Sequence, residues 1–209
     1  MPRLSEQTDK LKKIHADLIE QARRSEEEMF SGDGLLTLAT RLENVHSVKE
    51  ALALGVDVNE RGASSMTALH LATWQRNLEI TTILLTNGAD IEALDEDKES
   101  PLYSAVAGLD DAPEPYSSRP LLPIIELLLR AGARPDTFSK LFVTPARLTT
   151  DGDIKRRLIM AEEDFYKIHP SARPVDADWK ALEYENDLLI FLARHNRSIG
   201  NHLPHGERK

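Results

Sequence analysis

Apolar residues recur at three- and four-residue intervals through most of the chain, in short segments broken by Gly, Pro and polar turns. Residues 8–29 place Leu11, Ile14, Leu18 and Ala22 along one side of a helix. Thr8 is positioned to cap that helix and Asp9 suits the positive end of its dipole, while Ser31-Gly32-Asp33-Gly34 ends it. Between 34 and 160 the helical patterns become shorter and pair up, the first three pairs each closed by a Gly. Residues 161–176 hold Pro170 and Pro174 and read as a linker. From Asp176 to Asn196 a last helical pattern sets Trp179, Leu182, Leu189 and Leu192 on one face, widened by Leu188 and Phe191. That face is too apolar to stand in water.

The middle region repeats itself. Gly34-Leu35-Leu36-Thr37-Leu38-Ala39 lies over Thr67-Ala68-Leu69-His70-Leu71-Ala72, and Ser100-Pro101-Leu102-Tyr103 starts the pattern again, a step of 33 residues each time (67 − 34 and 100 − 67). Gly55-Val56-Asp57-Val58 lies over Gly88-Ala89-Asp90-Ile91 at the same offset. A period of this size fits one pair of helices and a turn, stacked on its copies. No copy can bury its apolar face alone. Leu69, Ala72, Ile80, Ile83 and Leu84 must meet their equivalents next door, at about 1.5–3 kcal/mol for each side chain fully buried.

These residues resemble the ankyrin repeat. Thr67, Leu69, His70, Ala72, Leu84, Leu85, Gly88, Ala89 and Asp90 match its T-P-L-H-x-A, L-L and G-A-D marks; Ala68 stands where the family has Pro. A third copy supplies Pro101, Leu128-Leu129 and Gly132-Ala133, and a fourth begins at Thr144-Pro145. The resemblance implies an all-α fold. It is an ankyrin-repeat solenoid of stacked helix-turn-helix units with turn or β-hairpin tips, capped by a helix at each end. The expected division is a capping helix over 1–33 and repeats over 34–65, 66–98, 99–142 and 143–160. A linker over 161–176 and a helix with a tail over 177–209 complete the chain. The third copy carries an insertion at 109–120, where three prolines forbid helix. The first segment is a cap on the first repeat, or a short coiled-coil handle. The last caps the fourth repeat, or docks a partner or a second copy of the chain.

Composition narrows the function. The net charge is −9 and no long Lys/Arg stripe is visible, so a nucleic-acid ligand is not expected. No apolar run approaches membrane length. The chain has no cysteine, which excludes disulfides and Cys-ligated zinc, and its first residues lack the apolar core of a secretory signal. A cytoplasmic protein is the expectation. No phosphate-cradling, nucleophile-elbow or zinc-protease motif is present, so no enzyme, cofactor or metal is expected. Asp95, Glu96, Asp97 and Glu99 do not meet the EF-hand spacing and read as a solvated turn. His195, His202 and His205 lack a supporting shell for a metal. Thr67 and His70, by the resemblance, are structural.

The resemblance further implies a non-enzymatic protein-binding module that uses its turn tips and the exposed side of its inner helices. Carried over, the binding positions are Arg41, Leu42, Met66, Trp74, Gln75, Glu96, Asp97, Glu99, Lys140, Leu141 and Val143. Trp74 is either an exposed anchor or a packed core residue. The acidic middle tip and its apolar flanks suit a partner segment carrying Lys or Arg beside an apolar side chain. The alternative is a stoichiometric inhibitor or immunity-type protein that blocks one enzyme through the same surface. The turn Gly of the family is replaced by Ser65, Lys98 and Phe142; positive φ there costs strain, so reshaped turns are expected. Phe138, Leu141 and Phe142 make the third turn apolar, either under the C-terminal helix or as a contact patch.

Overall fold

The computed structural model describes residues 4–24, 33–111, 120–140 and 143–172. Helix α1 (Leu4–Arg24) is followed by four antiparallel helix pairs: α2 (Leu35–Arg41) with α3 (Val45–Ala53), α4 (Ala68–Trp74) with α5 (Leu78–Thr86), α6 (Pro101–Asp111) with α7 (Leu122–Arg130), and α8 (Pro145–Leu148) with α9 (Gly152–Ile168). The even-numbered helices contact one another in an inner layer. α3, α5 and α7 form the outer layer, which α9 continues through the pairing of Arg157 with Glu126 of α7. Helix α1 packs on α2 and α3, burying Ile14, Leu18 and Ala22 over the first pair. The architecture is an all-α solenoid; among the described residues there is no strand, only an isolated bridge between Arg61 and Thr67.

The ends of the outer helices explain why the copies superimpose in sequence. Asn44 accepts from the amide of Ser47, Asn77 from that of Ile80, and Asp151 from those of Asp153 and Ile154, each at 2.9–3.0 Å. At the other end Gly55, Gly88 and Gly132 adopt φ of 86°, 84° and 101°. The next amide then reaches back to the last turn: Val56 to Ala51, Ala89 to Leu84 and Ala133 to Leu128, at 3.0–3.1 Å.

The apolar interior falls into two clusters. One joins Ile14 and Leu18 of α1 to Leu36, Val48, Leu69, Ile80 and Leu84. The other joins Leu102, Tyr103, Ile124, Ile125 and Leu128 to Val143, Ile154 and Leu158. They meet between the second and third pairs, where Leu85 packs against both and polar groups reinforce the join. Thr73 Oγ1 donates to the carbonyl of Pro101 (3.0 Å) and Arg76 Nη2 to that of Gly108 (2.9 Å). His70 Nε2 lies 3.1 Å from the carbonyl of Glu99.

Four expectations are corrected. Helix α1 begins at Leu4 and not at Thr8, because nothing between them breaks a helix and Glu6 already suits its first turn. The insertion does not start at 109: α6 runs on to Asp111 because the first proline comes only at 113. The linker expected from 161 is helix as far as Ile168, since its first proline is Pro170. The left-handed turn is kept without Gly, with φ 58° at both Ser65 and Lys98. The C-terminal helical pattern and most of the insertion lie outside the described residues.

Candidate partner-binding surface

Each pair is joined to the next by a long turn, and the three turns close alike. The amide of Gly62 donates to Met66, that of Asp95 to Glu99 and that of Ser139 to Val143, at 2.8, 3.1 and 3.3 Å. The tips also bond to each other: the amide of Glu96 donates to the carbonyl of Ser64 (3.0 Å) and the amide of Lys140 to that of Asp97 (2.8 Å). Arg61 Nη1 donates to the carbonyls of Ser65 and Leu94, at 2.9 and 2.7 Å. The row Ser64, Glu96, Asp97 and Lys140 is therefore one ledge tied by main-chain bonds.

Its charges are partly spoken for. Asp95 Oδ1 accepts from the amides of Asp97 and Glu99, both 2.9 Å, so the acid cluster shapes its own turn. Lys140 Nζ pairs with Asp97 at 3.3 Å in solvent. Glu96 and Asp97 are exposed, and Met66 and Glu99 are half-buried. Leu94 and Phe138, equivalent positions in consecutive turns (138 − 94 = 132 − 88), remain 42% and 38% exposed. Leu94 drew no notice in the sequence, although the repeat offset alone pairs it with Phe138.

The inner-helix positions divide. Arg41 donates through Nε to Asp33 at 2.7 Å. Leu42 packs half-buried against the first cluster. Trp74 is half-buried, and its ring edge lies over Gly108, where a Cβ would stand 3.2 Å from the indole. Gln75 is not a surface contact: it is 2% exposed and its Nε2 donates to the carbonyl of Arg41 at 2.7 Å, tying the first two inner helices together. Val143 is likewise interior, fully buried in the second cluster, because its turn folds back over α6. Leu141 and Phe142 lie outside the described residues.

His70 has the geometry of a strut. It is fully buried; Nδ1 accepts from the amide of Thr67 (3.1 Å) and stands 2.8 Å from Thr67 Oγ1. Nε2 then carries the proton towards Glu99. Burial pulls the His70 pKa below its ordinary value, against smaller opposing effects of Glu99 and Asp95. The first and third pairs make the same connection differently. Glu60 accepts from the amides of Leu36 and Thr37, and Ser100 Oγ meets Thr137 Oγ1 at 3.1 Å.

Comparison with known proteins agrees with this geometry. The family model described as ankyrin repeats (3 copies) matches residues 8–95 and 36–139. The p105 subunit of nuclear factor NF-kappa-B from Gallus gallus is 28% identical over 167 residues, covering 76% of this chain and 15% of that protein. Protein fem-1 homolog C from Homo sapiens is 28% identical over 131 residues, covering 56% of this chain and 19% of that protein. The chain thus spans less than a fifth of either relative. In fold it is similar to the ankyrin repeat domain of Bcl-3, described as a unique member of the IkappaB protein family. The TM-score is 0.52 at 24% identity, over 62% of this chain and 52% of that one. The matched residues, the repeat offset and the stacked pairs lead to one conclusion: this chain belongs to the ankyrin repeat family.

Proposed function

We propose that the chain is a non-enzymatic protein-binding module whose ligand lies along the ledge of turn tips. The observation that carries this reading is the pair of main-chain bonds joining the tips, Glu96 to Ser64 and Lys140 to Asp97. A surface already held in place loses little freedom on binding. Ankyrin repeats serve as interaction modules, which supports the same reading. The ligand is a segment with a Lys or Arg and a neighbouring apolar side chain: the charge for Glu96, the apolar group for Leu94 or Phe138. The setting is the cytoplasm, in keeping with an acidic chain free of cysteine.

Affinity purification with mass spectrometry tests this, run beside a Glu96→Lys/Leu94→Ala variant shown to fold. A partner recovered with the wild type and lost with the variant supports the reading. Equal recovery from both, or none from either, removes it. Recovery of one stoichiometric enzyme whose turnover is blocked makes the module an inhibitor.

A further inference from the structure

Helix α9 is longer than an outer helix needs to be. α3, α5 and α7 have nine residues each and α9 has 17. The extra turns run back over the third turn. Phe165 lies with its ring 4.7 Å from that of His169 and 5.8 Å from that of Tyr166. The guanidinium of Arg134 sits 5.2 Å from the Phe165 ring centre and holds Asp136 with two bonds of 3.1 Å. Asp136 is almost fully buried. Beneath this contact, Glu162 points inward. Its Oε1 is buried, and so is the Thr144 hydroxyl at the start of α8, which lies against the same carboxyl.

We propose that Glu162 is a proton-operated latch: its neutral carboxyl lets the second half of α9 lie on the third turn, and loss of the proton to solvent loosens that half. The charged and titratable groups around it are Asp136 from the turn, Arg147 from α8 and Tyr166 from its own helix, with Arg134 beyond. Burial is the main effect and favours the neutral form, and Asp136 adds to it; Thr144 and Arg147 oppose. Together they push the Glu162 pKa up to about 7. Tyr166 is pushed up to about 12 by burial and by the same two carboxyls, so it stays neutral and does not compete. His169 packs at the edge of the contact, its ring tilted against that of Phe165.

Hydrogen exchange of amides 161–168 in the full chain, corrected for intrinsic rates, reads the latch directly. The opening equilibrium of the wild type should rise about tenfold between pH 6 and pH 8, as one group of pKa about 7 requires, and that of Glu162→Gln should stay level. A level wild type overturns the proposal, and so does a variant that keeps the rise. If Glu162→Gln fails to fold, the carboxyl 13C shift of Glu162 in the wild type decides. A midpoint near 7 supports the latch, and one near 4.5 sinks it.

Discussion

His70 Nε2 reaches across the seam between the second and third helix pairs to the carbonyl of Glu99, at 3.1 Å. Because the two apolar clusters share only Leu85 as a packed neighbour there, this bond does more than fill a helix end. His70→Ala removes it, strands the amide of Thr67 and opens a cavity. The expected cost is about 2–4 kcal/mol. Solenoid stability is a sum of units and interfaces. The urea transition should therefore broaden, with a smaller slope, as the two halves lose their coupling. A transition displaced at unchanged slope contradicts this.

The same histidine sets an acid limit on stability. Its folded pKa lies below the ordinary 6.5, so the unfolded chain takes up its proton first. The contribution is present above pH 6.5 and is lost as pH falls through the folded value. Glu162 works in the opposite sense, its contribution fading as pH rises from 4.5 towards 7. In the wild type the two act in opposite directions over this range. In Glu162→Gln the histidine is unmasked, and the melting temperature should fall steadily from pH 6.5 to pH 5. A flat profile in that variant rejects the assignment.

Lys98 holds φ 58° in an exposed turn, a conformation that costs a residue with a Cβ about 1–2 kcal/mol. Gly removes that cost and returns part of it as freedom of the unfolded chain. Lys98→Gly should raise stability by about 0.5–1 kcal/mol, or about 1–4 °C in a thermal scan. The matching change at Ser65 should do the same. A loss in either shows that the side chain itself holds the turn.

These turns mark where the sequence could and could not be read. Residues with one repeated job were legible: the Gly that ends each of the first three outer helices, and His70 as a strut. The offsets of 33 and 44 placed every helix pair between Leu35 and Leu158. Substitutions that keep a conformation by other means were not legible. Ser65 and Lys98 promised reshaped turns, yet neighbouring hydrogen bonds hold the left-handed form. Gln75 faces inward and donates to the carbonyl of Arg41, a contact with the neighbouring copy that spacing does not carry. Val143 has the same history, since burial depends on how the next pair closes. The far half of α9 was hidden because Pro170, not a change of pattern, ends it.

The first pair lacks the Thr and His of the second, and Glu60 supplies the missing link from the following turn. Its carboxylate accepts from the amides of Leu36 and Thr37 at the start of α2. Charge-assisted bonds of this kind contribute about 1.5–3 kcal/mol. Glu60→Ala should cost about 1–2 kcal/mol once solvent takes over part of the bonding, and exchange of amides 36–37 should quicken most. Gly34→Ala should act on the same contact, because its new Cβ would stand 2.5–2.7 Å from the carboxylate.

Asp136 occupies the position held by Asn59 and Glu92 in the earlier turns. Those two side chains each accept a main-chain amide from the copy that follows, Asp90 and Arg134 respectively, both at 2.7 Å. Asp136 instead grips Arg134 under the far half of α9, so no socket is left open for a further unit. Growth past this end of the array is therefore closed, as α1 closes the other end over the first pair. Another copy cannot be spliced on after Met160 unless residues 161–168 are cut away, and two molecules cannot continue one another's stack into a filament from this side.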